Sequence, residues 1–369
     1  MSMRLINPIV AGLMVSLALG ASGCTHTDPA SVVTPPPEGP FTNASPAQLT
    51  FNSGRDELPS FTQDGLGILY SFQVSNRTDR DRCVGLLPAE GGSRRFTLCE
   101  SRRGFNDSTD NLAASALSSA GALLYVASTS RTNAQLPGTT RLTLSDTSEG
   151  ASTRTLITMP VRAGSLLVDW LVDIRWIGPA NFVALGQQFT VMPRCPGCAQ
   201  RDTIFIPIAV VRGEITALGA TLTPVLGTEG AVAYGLAAPG NDIVFRTNQV
   251  ALQRVALEGG LPVVAIGVPP PETSLPPGAT RMIVDHDCQG GKCAVLTITQ
   301  IPSLSGPYFE REIYTLPASG GAASRFGFTS SLTSPRVWEA VRLSPDGSRA
   351  VVVTRAVNQV DLFLFTGLP

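Results

Sequence analysis

Six of the seven cysteines fall into near pairs: Cys83 with Cys99, Cys195 with Cys198, and Cys288 with Cys293. Cys195-Pro196-Gly197-Cys198 has the spacing of a redox dithiol. Thiol exchange needs a thiolate stabilised by a helix N-terminus or a neighbouring base, and this motif reads as a loop between strands, so a structural bridge is expected. Cys83 and Cys99 sit symmetrically about a Gly91-Gly92 turn, and Cys288 and Cys293 flank Gln289-Gly290-Gly291-Lys292. Local geometry therefore favours a bridge within each pair, and an oxidising compartment keeps such bridges.

Asp285-His286-Asp287-Cys288 offers metal-ligand types, but side chains alternate along a strand, so Asp285 and Asp287 share a face that His286 does not. With Cys288 bridged, no metal site is expected, and no cofactor. Of the two histidines, His26 precedes the folded part, so only His286 is available to it. Chemistry that needs several histidines is excluded. The chain has no G-x-S-x-G elbow and no phosphate-binding loop, and Gly65 with Gly67 lacks the third glycine of a dinucleotide fingerprint. No spacing singles out a pair of carboxylates.

The elements that would position these groups are turns. Leu343-Ser344-Pro345-Asp346-Gly347 reads as a strand end and tight turn. Pro345 presets φ, Asp346 bonds its own backbone, and Gly347 takes positive φ. The apolar Ala350 to Val353 then supplies a strand buried on both faces. Weaker copies lie near Gly65, Gly121, Ala180, Gly240 and Gly290, about 50–60 residues apart, the mark of a repeated supersecondary unit. Each period carries a second hairpin, through Gly91-Gly92, near Gly150, and through Gly259-Gly260 and Gly320-Gly321. Two hairpins make a four-stranded antiparallel blade. Six such blades predict an all-β, six-bladed β-propeller. The sixth repeat stops after Val360 to Phe365, so the strand Ala47 to Asn52 is expected to supply its outer strand, burying Leu49 and Phe51.

The repeats resemble the TolB-type propeller family, relatives of the WD-repeat, whose hallmark is the S-P-D-G turn matched in full by Ser344-Pro345-Asp346-Gly347. Gln63-Asp64-Gly65 and Ser118-Ser119-Ala120-Gly121 match in part. The resemblance implies architecture over residues 45–367 and no particular activity.

Residues 1–23 read as a targeting segment, with Arg4 ahead of the short apolar run Ile9 to Leu19. Ala21-Ser22-Gly23-Cys24 resembles the bacterial lipobox, which implies lipidation of Cys24. Thr25 after that cysteine implies the outer membrane, facing the periplasm or exterior. Residues 24–44, with Pro35-Pro36-Pro37, read as an extended tether, and residues 45–369 as a single propeller. Apolar residues make up 43% and charged residues 15%, which leaves ample material for a core.

A net charge of −1, with the arginines of residues 55–103 balanced by acids, argues against nucleic acid as a partner. Binding residues concentrate on loops held by a rigid frame. The longer connections are read as 100–111, 128–140, 187–202, 267–279 and 300–311. They carry Arg102, Arg103, Arg131, Arg194, Arg201, Asp202, Tyr308, Phe309 and Arg311, and aromatic and Arg residues are common interface anchors. The expectation is a monomeric, membrane-anchored, non-catalytic scaffold that binds an envelope protein. The rival is a glycan- or peptide-cleaving hydrolase or lyase working in the central channel. A tight cluster of carboxylates with Arg or His286 at the channel mouth would favour the enzyme, and small apolar residues the scaffold.

Overall fold

The computed structural model describes residues 46–51, 54–73, 82–99, 110–130, 137–147, 153–193, 195, 201–237, 242–270, 274–334, 336–356 and 359–369. It is an all-β, six-bladed propeller of four-stranded antiparallel blades. After β1 (Ala47–Gln48), blade one runs from β2 (Asp56–Phe61) through β3 (Gly67–Gln73) and β4 (Arg82–Pro88) to β5 (Phe96–Leu98). Blade two is β6 (Asp110–Leu117), β7 (Ala122–Ser130), β8 (Pro137–Asp146) and β9 (Arg154–Met159). An additional hairpin, β10 (Val161–Ala163) with β11 (Leu166–Val168), precedes blade three, which is β12 (Trp170–Gly178), β13 (Asn181–Pro193), β14 (Arg201–Thr216) and β15 (Gly219–Pro224).

Blade four is β16 (Ala233–Ala237), β17 (Asp242–Arg246), β18 (Ala251–Ala256) and β19 (Val263–Gly267). Blade five is β20 (Thr280–Gln289), β21 (Lys292–Ile301), β22 (Tyr308–Pro317) and β23 (Ser324–Ser330). Blade six is β24 (Val337–Leu343), β25 (Arg349–Ala356) and β26 (Gln359–Thr366), completed on its outer edge by β1. The first strand of each blade faces the axis.

Ring closure follows from the last and first segments. Ala47 pairs with Leu364 and Gln48 with Phe363. Beyond them the Leu49 N–H donates to the Leu362 carbonyl at 2.8 Å, and the Leu362 N–H to Thr50 Oγ1 at 3.0 Å. The strand is shorter than the sequence suggests, and only one of its two expected anchors is buried. Leu49 packs into the seam between blades six and one, whereas Phe51 is 42% exposed because the chain has already left the sheet.

The core is six apolar seams, one for each interface between neighbouring blades. Near-continuous runs such as Ile68-Leu69-Tyr70 and Ala350-Val351-Val352-Val353 are buried on both faces, because each blade is packed on two sides. Close approach is required between blades four and five. A Cβ on Gly235 would lie 2.2 Å from the Cys288 backbone nitrogen, so only glycine fits there.

Candidate functional site

Five of the six inner strands carry a register shift at a similar height, between Glu57 and Ser60, Ala113 and Ser115, Val172 and Arg175, Ile283 and Asp285, and Trp338 and Ala340. A bulge re-aims the side chains that follow it. In blades three, five and six those side chains are charged, and they meet on the axis.

Arg175 is the hub. Its Nε and Nη2 each donate to a carboxylate oxygen of Asp173 at 3.0 Å, a bidentate pair, and its Nη1 donates to Asp287 at 2.5 Å. The other Asp287 oxygen accepts from the Leu343 N–H at 2.7 Å. Arg342 donates through Nη1 to Asp285 at 2.8 Å, and the same Asp285 oxygen accepts the Val341 N–H at 2.9 Å. Nη2 of Arg342 stands 3.6 Å from Asp173. The guanidinium of Arg175 also lies 5.0 Å from the centre of the Tyr234 ring, whose hydroxyl donates to the Asp173 carbonyl.

All of these groups are largely withdrawn from solvent. Burial opposes their charges, but the opposite partners decide the outcome for three of them, Arg342 being held above its ordinary value against its own desolvation by Asp285, Asp173 and Asp287. Arg175 is held well above its ordinary value against its own desolvation by Asp173 and Asp287. Asp173 is held below its ordinary value, against its desolvation, by Arg175 and Arg342. Burial wins at Asp287, whose carboxyl is pushed up. Asp173 also has φ of 51°, the left-handed region that Asp tolerates better than most residues. Such strain persists only where surrounding contacts hold it, and here the bidentate clamp on Arg175 does so.

His286 points the other way along the same strand. Its Nε2 lies 3.1 Å from the Val244 carbonyl in blade four, and its Nδ1 is buried without a hydrogen-bond partner. Desolvation lowers its pKa to about 4, partly opposed by Asp285, so the ring is neutral.

The charged cluster divides the channel. On the side of the inner-hairpin turns a cavity of about 570 Å³ is lined by residues from all six blades, among them Gln63, Leu117, Trp176, Leu236, Gln289 and Pro345. On the other side a cavity of about 240 Å³ lies among Leu58, Val172, Val232 and Ala233. Ser60, Asp173 and Arg342 line both. The base of the wider cavity therefore combines carboxylates with Arg, the arrangement expected of the enzyme, with His286 taking no part, while its walls carry Ala116, Leu117 and Leu236.

Of the interface residues expected from sequence, five fall within the described residues. Arg102, Arg103, Arg131 and Arg194 lie outside the described residues, as do Cys24 and Cys198. Arg201 and Asp202 are not in a loop: β13 and β14 continue past the blade as a two-stranded ribbon, in which Pro193 pairs with Arg201 and Met192 with Asp202. The ribbon is fixed at its base by rings, with Trp170 5.6 Å and Phe189 6.5 Å from Phe205. Tyr308, Phe309 and Arg311 likewise belong to β22, because β21 runs on to Ile301. Phe309 is partly exposed, and Arg311 is committed elsewhere, its Nη1 donating to the Trp338 carbonyl of blade six at 2.5 Å.

The bridges Cys83–Cys99 and Cys288–Cys293 are formed, and Cys195 is disulfide-bonded. Asp173, Arg175 and Arg342 were not singled out from sequence. The signal available was a charge inside an otherwise apolar inner strand, as in Trp170-Leu171-Val172-Asp173-Ile174-Arg175-Trp176.

No protein-family model matches the chain, and no curated protein matches it. Solved structures do. The β-propeller domain of Myceliophthora thermophila Cps50 (Swd1) is 9% identical with a TM-score of 0.46, over 86% of this chain and 98% of that one. The C-terminal WD40 domain of Sif2 is 9% identical with a TM-score of 0.41, over 86% and 82%. Trypanosoma rangeli sialidase in complex with sialic acid is 11% identical with a TM-score of 0.48, over 88% and 57%. The six-bladed β-propeller itself is shown by the strand order of the chain.

Proposed function

We propose that this chain is a non-catalytic binding propeller of TolB-type repeats, exported and held at the bacterial cell envelope by a lipid on Cys24, where it presents its surface to a protein partner. The observation that carries the non-catalytic reading is the state of the channel carboxylates. Asp173, Asp285 and Asp287 are each answered by an arginine or a backbone N–H within the fold. A general acid or base must exchange its proton with substrate, and a carboxylate clamped in a bidentate ion pair is poorly placed to do so. The neutral His286 is spent on a carbonyl of the next blade. Export is supported by the bridged cysteines, and anchoring by the lipobox-like Ala21-Ser22-Gly23-Cys24.

Mass spectrometry of the envelope-fractionated protein tests the anchor. A mature N-terminus at Cys24 carrying a diacylglyceryl group is expected, and an unmodified N-terminus elsewhere would sink it. In-cell crosslinking that captures no envelope protein would count against the scaffold.

One observation favours the rival enzyme: a strained Asp173 at the base of a 570 Å³ cavity, beside two arginines. Incubation with cell-wall glycan fragments and with unstructured peptides decides between the two. Cleavage abolished by Asp173→Asn would transfer the conclusion to a hydrolase or lyase.

A further inference from the structure

From the groups left open at the wider channel mouth, we infer that it binds a neutral, hydroxyl-rich ligand of mono- or disaccharide size. This goes beyond the protein-binding role and rests on the non-catalytic reading only in that the ligand is held and not cleaved. The cavity, at about 570 Å³, falls within the roughly 300–1,000 Å³ usual for small-molecule sites.

Its base offers a donor edge beside an acceptor. Arg342 spends Nη1 on Asp285 and on the Val341 carbonyl. Its Nη2, 3.6 Å from Asp173, is beyond hydrogen-bond distance, so among the described residues the Nε–Nη2 edge is open. Asp173 accepts one hydrogen bond on each oxygen, both from Arg175, and each carboxylate oxygen has capacity for another. A hydroxyl donates and accepts at once. Two adjacent hydroxyls can therefore satisfy both groups, one accepting from Arg342 and the other donating to Asp173.

Charge selects for neutrality. The three carboxylates Asp173, Asp285 and Asp287 face the two guanidiniums Arg175 and Arg342 at close range. A carboxylate or phosphate ligand placed on Arg342 would sit against Asp173, and an ammonium placed on Asp173 against Arg175 and Arg342. Nearer the turns, Gln63 Oε1 accepts the Ser119 N–H at 3.0 Å while its amide NH₂ has no partner among the described residues, and Gln289 also lines the cavity. Phe61, Trp176 and Pro345 supply apolar wall for the C–H face of a sugar ring.

The test is saturation-transfer NMR on the purified full chain. The probes are the neutral methyl glycosides of glucose, galactose, mannose and N-acetylglucosamine, with glucuronate and glucosamine as charged controls. At least one neutral glycoside is expected to saturate below about 10 mM, with affinity falling about tenfold for Gln289→Leu and for Asp173→Asn. An unchanged melting temperature in Gln289→Leu separates lost contact from lost fold. No binding by any neutral glycoside, tighter binding of a charged control, or indifference to both substitutions would overturn the inference. Conversion of the bound glycoside during the experiment would instead overturn the non-catalytic reading and leave the site standing.

Discussion

Blades five and six are neighbours in the ring, but blade five is built of its own four strands and blade six is completed from outside its own. Blade six borrows a strand from the start of the chain: β1 pairs with β26, some 315 residues away along the sequence. Blade five sends charge outward, with Asp285 and Asp287 accepting two backbone N–H groups of β24 and ion-pairing with Arg342 and Arg175. The turns of their inner hairpins differ too. Blade six closes through side-chain hydrogen bonds around Asp346, and blade five through Gly290-Gly291 with a disulfide across the strands. Both blades are paired and packed in apolar seams, and blade five adds ion pairs and a covalent staple where blade six adds the borrowed strand.

The largest expected effect breaks blade six. Deleting residues 46–51 removes the buried Leu49, a contribution of about 1.5–3 kcal/mol, and several backbone hydrogen bonds at about 1 kcal/mol each. The melting temperature should fall by about 10 °C. Calorimetry showing no change would mean that the ring does not depend on its borrowed strand.

Asp287→Ala is the corresponding break in blade five. It leaves Asp173 as the carboxylate on Arg175, beside the Tyr234 carbonyl, and orphans the Leu343 N–H. Removing one member of a buried ion pair costs about 3–5 kcal/mol, read as a lower denaturation midpoint at constant slope. Arg175→Met should cost at least as much, since it strands both Asp173 and Asp287, and the double substitution should cost less than the sum of the two because both remove the same ion pair.

The third test is pH. His286 is neutral in the fold with its pKa lowered to about 4, from an ordinary value of 6.5. Its neighbours Asp285, Arg246 and Arg342 pull in opposing directions, and burial dominates. Above pH 6.5 folded and unfolded chains bind the same number of protons here, so His286 contributes no pH dependence. Between 6.5 and 4 only the unfolded chain takes up the proton, and stability falls by about 3 kcal/mol across that window. His286→Gln should flatten this part of the denaturation-against-pH curve. An unchanged curve would mean that the fold admits the imidazolium.

What the sequence disclosed divides along the same line. The propeller, its six beats, and the borrowed strand were legible because turn residues and buried apolar runs act within a few residues of one another. The pairings Cys83–Cys99 and Cys288–Cys293 were legible for the same reason. The axial cluster was not: Asp173, Arg175 and Arg342 lie on blades three and six, and their meeting depends on bulges that no local pattern announces. The pattern predicts Phe51 inside, and it lies outside, because β-propensity says where a strand can form and not where it stops. The sequence reads 187–202 as a connection, whereas β13 and β14 stay paired as far as Pro193 and Arg201. Cross-strand rings such as Phe189 with Phe205 sustain pairing beyond the blade.

Smaller effects sharpen the comparison. Replacing Cys288 and Cys293 together by Ser reopens a short loop, for which chain entropy accounts for about 2 kcal/mol. Because the loop is short, this should cost less than the corresponding change at Cys83 and Cys99, worth about 3 kcal/mol. The reverse order would indicate that the blade-five staple acts on the folded state, where Cys288 lies against Gly235.

The smallest concerns the turn itself, and blade one supplies its control. Asp346 accepts from Ser344 Oγ at 2.5 Å, the Ser348 N–H at 3.1 Å and Ser348 Oγ at 2.7 Å. Asp64 accepts from Thr62 Oγ1 at 2.5 Å and the Leu66 N–H at 2.9 Å. The extra serine, together with Ser344, lowers the Asp346 carboxyl to about 2. These bonds are largely solvent-exposed, so Asp346→Ala and Asp64→Ala should each cost only about 1 kcal/mol, with Asp346 the larger. The two turns also touch: Arg349 Nη2 donates to the Gly65 carbonyl at 2.6 Å, and Pro345 lies over Gly65. The double substitution should therefore depart from additivity by about 0.5 kcal/mol. Strict additivity would mean that the turns of blades one and six fold as independent units, leaving β1 and the seam behind it as what joins the ends of the ring.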